Sequence, residues 1–102
     1  MTQVVWTLRA ECDLQRLYES EDDFIEGRGY ELLAVVKSGD DLLSKNPNAG
    51  PLFELPFHRL VLSNPRFGVF YVHEDRGVIV HALCNLAKPK ANILRHLGLP
   101  TG

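Results

Sequence analysis

The sequence predicts an α+β domain: an N-terminal strand and an α-helical hairpin packed on a twisted antiparallel sheet, in the order β-α-α-β-β-β with room for a short C-terminal helix. The segment between Thr7 and Gly27 contains neither glycine nor proline, and the next segment repeats apolar residues at helical spacing. Three β-rich runs follow, separated by turn residues. Because 102 residues suit one core and not two, we assign residues 1–102 to a single domain.

The first predicted elements are a short strand and a long helix. Residues 3–7, QVVWT, are β-branched and aromatic, which is typical of a strand. The helix that follows carries an apolar stripe of Leu14, Leu17 and Tyr18, with Phe24 and Ile25 near its end. Its acidic residues are expected to face water: Glu11, Asp13, Glu19, Glu21, Asp22 and Asp23.

A second helix is predicted after the break at residues 27–29. Its apolar residues recur at helical spacing: Leu32, Leu33, Val35, Val36, Leu42 and Leu43. Residues 46–51, NPNAGP, end this helix. Two helices joined by a short link form an antiparallel hairpin, whose apolar faces must be covered by another layer.

The second half of the chain supplies that layer. Residues 58–63, 66–74 and 77–86 predict an antiparallel meander, and residues 88–99 are compatible with a last short helix. Strict alternation places Ile79, His81 and Leu83 on one face of the last strand. The expected core comprises Trp6, Leu14, Leu17, Leu33, Val36, Val69, Val80 and Leu83.

Composition excludes several classes of protein. Hydrophobic residues make up 45% and charged residues 24% of the chain, which is ordinary for a globular protein and not for a disordered one. No apolar run approaches the roughly 20 residues that span a bilayer. We therefore expect a cytoplasmic protein without a membrane partner. Cys12 and Cys84 form neither a disulfide framework nor a zinc motif, and we expect no metal and no cofactor.

The net charge of −2 conceals a difference between the two halves of the chain. Residues 1–50 carry ten acidic and five basic residues, whereas residues 51–102 carry three acidic and six basic ones. All four histidines also lie in the second half. Such asymmetry indicates two surfaces with different partners.

Several short motifs follow one another in a characteristic order. They are Val5-Trp6-Thr7, Ala10, Asp13-Leu14, Tyr18, Asn46-Pro47 with Gly50, Arg59, residues 66–71, and residues 78–80 with Leu83. In this order they resemble the RelE/ParE toxin superfamily over nearly the whole chain, with the ParE-like plasmid stabilisation toxins as the nearest type. The resemblance implies a toxin held inactive by a cognate antitoxin that covers apolar surface of the hairpin or sheet. Members of the superfamily either cleave mRNA on the ribosome or poison DNA gyrase.

The residues of the ribonuclease branch are matched only in part. Cleavage through a 2′-hydroxyl needs a proton acceptor, a proton donor and cations around the phosphate. Arg59 and Lys88 match basic positions of that branch, and His81 is a third candidate catalytic group. Other expected basic positions are occupied by Val61, Ser63 and Gly68, and no tyrosine follows Tyr71.

Three functions remain open from the sequence. The first is a ParE-like toxin that binds and inhibits a target such as DNA gyrase, through the candidate target-binding residues Arg59, Arg66, Lys88, Lys90 and Arg95. The second is a RelE-like ribosome-dependent mRNA endoribonuclease, which the negative net charge disfavours because RNA binding depends on phosphate neutralisation. The third is a non-toxic interaction module. We expect no specific DNA binding by the chain alone.

Overall fold

The computed structural model describes residues 1–101 and bears out the predicted α+β class. Its elements, in chain order, are β1 (Val4–Trp6), α1 (Leu8–Phe24), α2 (Arg28–Lys45), β2 (Leu52–Glu54), β3 (Phe57–Val61), β4 (Phe67–Glu74), β5 (Gly77–Asn85) and α3 (Lys90–His96). Helix α1 begins where the Thr7 hydroxyl accepts a hydrogen bond from the Ala10 N–H at 3.1 Å. The hairpin, the three-strand meander and the short C-terminal helix are all present.

The five strands form one sheet in the order β1-β5-β4-β3-β2. Strands β3, β4 and β5 pair antiparallel, as predicted. Strand β1 pairs with β5 in parallel, through residues 4–6 and 78–80, so the sheet is mixed. Strand β2 was not predicted, because three residues are too few to show an alternating pattern.

A β-bulge in β5 changes which side chains share a face. Phe70 lies opposite Ala82 and Tyr71 lies opposite Val80, so His81 is the extra residue. The predicted grouping of His81 with Leu83 is therefore wrong. Leu83 packs in the core beneath the hairpin, whereas His81 contacts Phe57 on the opposite face of the sheet. We call this opposite face, turned away from α1 and α2, the distal face.

The main core lies between the hairpin and the sheet. Its fully or nearly fully buried members include Ala10, Leu17, Leu32, Val36, Leu43, Val69, Tyr71, Val78, Val80 and Leu83, with Trp6 and Leu14 packed against them. A smaller cluster on the distal face joins Phe70, Ala82 and Cys84 to Ile93 of α3. Helix α3 therefore covers part of the distal face.

Four residues of the predicted apolar stripes are exposed. Leu33 and Leu42 are 38% and 45% exposed, and Phe24 and Ile25 at the hairpin tip are more exposed still. Helix α2 instead turns a stripe that includes Gly39 toward the sheet. A Cβ atom at Gly39 would lie 2.6 Å from Leu62 Cδ2, so the glycine permits the close approach of helix and sheet. Hydropathy alone does not reveal a glycine that belongs to the buried stripe.

A polar contact ties α2 to the first strand. The Trp6 indole N–H donates to both carboxylate oxygens of Asp40, at 2.9 and 3.1 Å. Burial raises the pKa of Asp40 above its ordinary value, and the Trp6 hydrogen bond opposes that rise. Part of the stability of this contact therefore depends on pH.

We predict that Leu43→Ala lowers the free energy of unfolding by about 2–5 kcal/mol, because it opens a cavity at a fully buried position. Leu33→Ala, the same substitution on the exposed side of the same helix, should cost well under half as much. Urea denaturation of both variants provides the measurement. Equal losses would contradict the observed orientation of α2.

We also predict a pH-dependent effect of Asp40→Asn. Because the folded pKa lies above the unfolded value of 3.8, the stability linked to neutral Asp40 is present below that value and is lost as the pH rises through the folded pKa. The asparagine oxygen still accepts from Trp6 without this loss. The stability of Asp40→Asn relative to the parent chain should therefore be greater at about pH 7 than at about pH 3. An equal change in the control Asp41→Asn would exclude burial as the cause.

Candidate functional site

Two predicted target-binding residues come together around one aromatic ring on the distal face. The Arg59 guanidinium carbon lies 5.3 Å from the centroid of the Phe53 ring, and Lys90 Nζ lies 5.5 Å from the same centroid. Lys90 also donates to Glu54 Oε1 at 2.9 Å. Strand β2, which the sequence did not predict, is thus the element that joins β3 to α3. We call Phe53, Arg59 and Lys90 the Phe53 patch.

The other predicted target-binding cations lie apart from the Phe53 patch. Arg66 donates to both carboxylate oxygens of Glu21 at 3.2 Å, and so ties the start of β4 to α1. Arg95 donates to Asn92 Oδ1 at 2.7 Å within α3. Lys88 lines a cavity between α1, β5 and α3. The five predicted cations therefore do not form one surface.

The three candidate catalytic residues also have separate surroundings. In the sheet, Arg59 of β3 lies opposite Phe70 of β4, and Phe70 lies opposite Ala82 of β5, the neighbour of His81. Two strand spacings of about 5 Å each therefore separate Arg59 from that part of β5. The half-buried His81 ring meets Phe57 edge to face, with 5.4 Å between centroids. Lys88 follows the end of β5. These positions do not give a set of cations converging on one phosphate.

Tyr71 has a structural role and is fully buried. Its hydroxyl donates to Pro47 O at 2.9 Å and accepts from the Gly50 N–H at 2.9 Å. Burial raises the pKa of Tyr71. A Cβ atom at Gly50 would lie 2.7 Å from Arg59 O, so the loop can reach the sheet only with glycine here. The Asn46-Pro47 and Gly50 motif thus anchors a loop to the core.

Cys84 has no nucleophilic character in this environment. It is buried on the distal face, and burial raises its pKa to about 11. The thiol therefore stays protonated near neutral pH, and the thiolate is the reactive form.

Within residues 1–101, no group of three or more histidine, cysteine or acidic residues is placed to hold a metal ion. No helix in the same range is long and apolar enough to cross a membrane.

Asp13 was expected to face water, and that expectation is wrong. It is 3% exposed, and its Oδ2 accepts from the Leu83 N–H at 3.1 Å. His96 Nε2 lies 2.8 Å from the same oxygen, and Arg16 Nη2 donates to Oδ1 at 3.1 Å. The signal was present in the sequence, because Asp13 lies at helical spacing between Ala10 and Leu17, both buried.

Comparison with known proteins supports the predicted fold. No family model matches the sequence, and no curated protein matches it. Among solved structures, a chain of the chromosomal ParDE TA system from P. aeruginosa is similar, with a TM-score of 0.73 and 19% sequence identity. The match covers 83% of this chain and 96% of that chain. The fold that the sequence resemblance implied is thereby confirmed.

We predict that Asp13→Ala lowers the free energy of unfolding by about 2–3 kcal/mol, because it leaves the buried Leu83 N–H without an acceptor. Glu11→Ala, on the exposed side of the same helix, should change it by no more than about 0.5 kcal/mol. Chemical denaturation of the two variants tests this. A similar small effect of both substitutions would show that the buried carboxylate does not hold the three elements together.

Proposed function

We propose that this chain is the toxin component of a type II toxin–antitoxin system. On this proposal it is ParE-like and acts in the cytoplasm by binding and inhibiting a cellular target such as DNA gyrase. One observation carries the proposal: the fold matches nearly the full length of a chain from the ParDE TA system, at a TM-score of 0.73. The motifs that first indicated the superfamily extend through this fold from β1, which contains Trp6, to β5, which contains Leu83.

The arrangement of charged residues favours binding over catalysis. Stabilising a phosphorane-like transition state requires several preorganised donors around one phosphate, and each missing donor costs on the order of 10² or more in rate. Here Arg59 rests on Phe53, Arg66 is paired with Glu21, and Lys90 is paired with Glu54. All three tyrosines lie elsewhere, two on the hairpin and Tyr71 in the core. Proton transfer to a leaving group therefore lacks a tyrosine donor on the distal face.

The Phe53 patch has the composition of a protein-binding surface. An aromatic ring flanked by cations supplies both apolar area and charge-assisted hydrogen bonds, and such residues are enriched among the strongest contributors to protein interfaces. Val61, two residues beyond Arg59 in the same strand, is 45% exposed. We propose that this patch contacts the target, with Arg59 as the principal cation.

The hairpin offers a separate surface for the antitoxin. A groove of about 230 Å³ lies on its outer side, lined by Glu11, Leu14, Gln15, Tyr18 and Leu33. Tyr30, which is 70% exposed, meets the Tyr18 ring edge to face beside it. Exposed apolar surface of this kind is typical of an interface. We propose that an antitoxin segment folds onto it.

Induction of the chain in bacterial cells tests the proposal. We expect growth arrest, relief of that arrest by the neighbouring antitoxin gene, no codon-positioned mRNA cleavage, and inhibition of purified gyrase in a supercoiling assay. Arg59→Ala should weaken gyrase inhibition about tenfold or more, since it removes a central cation. Arg76→Ala, in the exposed turn between β4 and β5, is the matched control and should leave it unchanged.

Two outcomes would overturn the proposal. Rapid mRNA cleavage abolished by Arg59→Ala or Lys88→Ala would identify a RelE-like ribonuclease. Normal growth together with unaffected gyrase would leave a non-toxic interaction module. Thermal unfolding of every variant separates loss of function from loss of fold.

A further inference from the structure

We propose that the cavity between α1, β5 and α3 is a binding site for a phosphate group. The cavity has a volume of about 90 Å³. Its polar lining consists of two cations, Arg16 and Lys88, with His96 and two amides, Asn85 and Asn92. No carboxylate lines it. The site lies apart from the Phe53 patch, and this inference does not depend on the proposed inhibition of gyrase.

Both amides are arranged as hydrogen-bond donors. The Asn85 Oδ1 accepts from the Ala87 N–H at 2.9 Å, and the Asn92 Oδ1 accepts from Arg95 Nη2 at 2.7 Å. Each side-chain oxygen already has one donor, so the amide NH₂ group is the more available part of each side chain for a ligand. This arrangement favours a ligand that accepts hydrogen bonds.

The cations of the cavity retain capacity for an anion. Among residues 1–101, no carboxylate oxygen lies within 4.0 Å of Lys88 Nζ. Arg16 uses one Nη2 contact to Asp13, and its guanidinium has further N–H donors. The buried Asp13 offsets one positive charge and holds both Arg16 and His96 in place. The balance of charge around the cavity remains positive.

The shape of the cavity and the positions of its hydrogen-bond donors indicate the chemical class of the ligand. Donors reach the cavity from α1, from the end of β5 with the turn after it, and from α3, so they surround a small group from several sides. A tetrahedral phosphate presents oxygens in such directions, whereas a planar carboxylate presents two in one plane. Since one water molecule needs roughly 10–15 Å³ by the same measure, a cavity of about 90 Å³ has room for a phosphate group.

The test is a titration of the whole chain with inorganic phosphate, followed by ¹H–¹⁵N NMR at constant ionic strength kept with chloride. We expect saturable shifts of the backbone amides at Asn85, Lys88 and Asn92. Lys88→Gln should weaken binding about tenfold or more, and Asn92→Asp should abolish it by placing a like charge in the site. Lys45→Gln, an exposed lysine at the end of α2, is the control and should bind as the parent chain does.

Further ligands separate the sources of the phosphate group. A nucleoside 5′-monophosphate that binds as tightly as inorganic phosphate supports recognition of the phosphate alone, and tighter binding supports a nucleotide as the ligand. The proposal is overturned if phosphate gives no saturable shifts at these residues, if acetate binds equally well, or if Lys88→Gln binds with unchanged affinity. Should Asn92→Asp fail to fold, Lys88→Gln decides the question, because Lys88 is exposed and its side chain makes no ion pair among residues 1–101.

Discussion

The buried carboxylate of Asp13 accepts a backbone hydrogen bond at an edge of β5 that the short strand β1 does not reach. Strand β1 pairs with β5 only along residues 78–80, so the outer edge of β5 beyond Val80 has no strand beside it. A buried N–H group at such an edge is costly unless it is paired. Asp13 supplies the acceptor for Leu83, and its remaining capacity is filled by Arg16 and His96. Helix α1, strand β5 and helix α3 are joined through this one side chain.

The elements predicted correctly are those whose signal is contained in their own residues. Two helices with apolar stripes, and strands bounded by turn residues at 64–65 and 75–77, can be identified without knowing their neighbours. The bulge at His81 cannot, because it depends on how β5 pairs with β4. Leu33 was expected to be buried and is exposed, whereas Asp13 was expected to face water and is buried. The reason is related: helical spacing identifies a face, but the neighbouring sheet determines which face is buried.

In the candidate site too, the sequence identifies the residue types but not the contacts that those residues make. The sequence shows which cations the second half contains but not their partners, which lie far along the chain. Arg66 is 45 positions from Glu21, and Lys90 is 36 positions from Glu54. The Arg66–Glu21 pair joins the basic second half to the acidic first half, whereas Lys90 and Glu54 both lie in the second half. Arg59 and Lys90 meet only because β2 places Phe53 between them, and a strand of three residues leaves little trace in the sequence.

Stability and a candidate ligand site are coupled at the outer edge of β5. Asp13 stabilises the edge by accepting from Leu83, and the same carboxylate orients Arg16 and His96, which line the cavity beside it. Preorganised donors bind an anion more tightly than mobile ones, because less side-chain entropy is lost on binding. A carboxylate buried for structural reasons therefore also prepares a positively charged cavity. Lys88 lies outside the sheet and has no ion pair among residues 1–101, so its substitution can change the affinity of that cavity without disturbing the sheet.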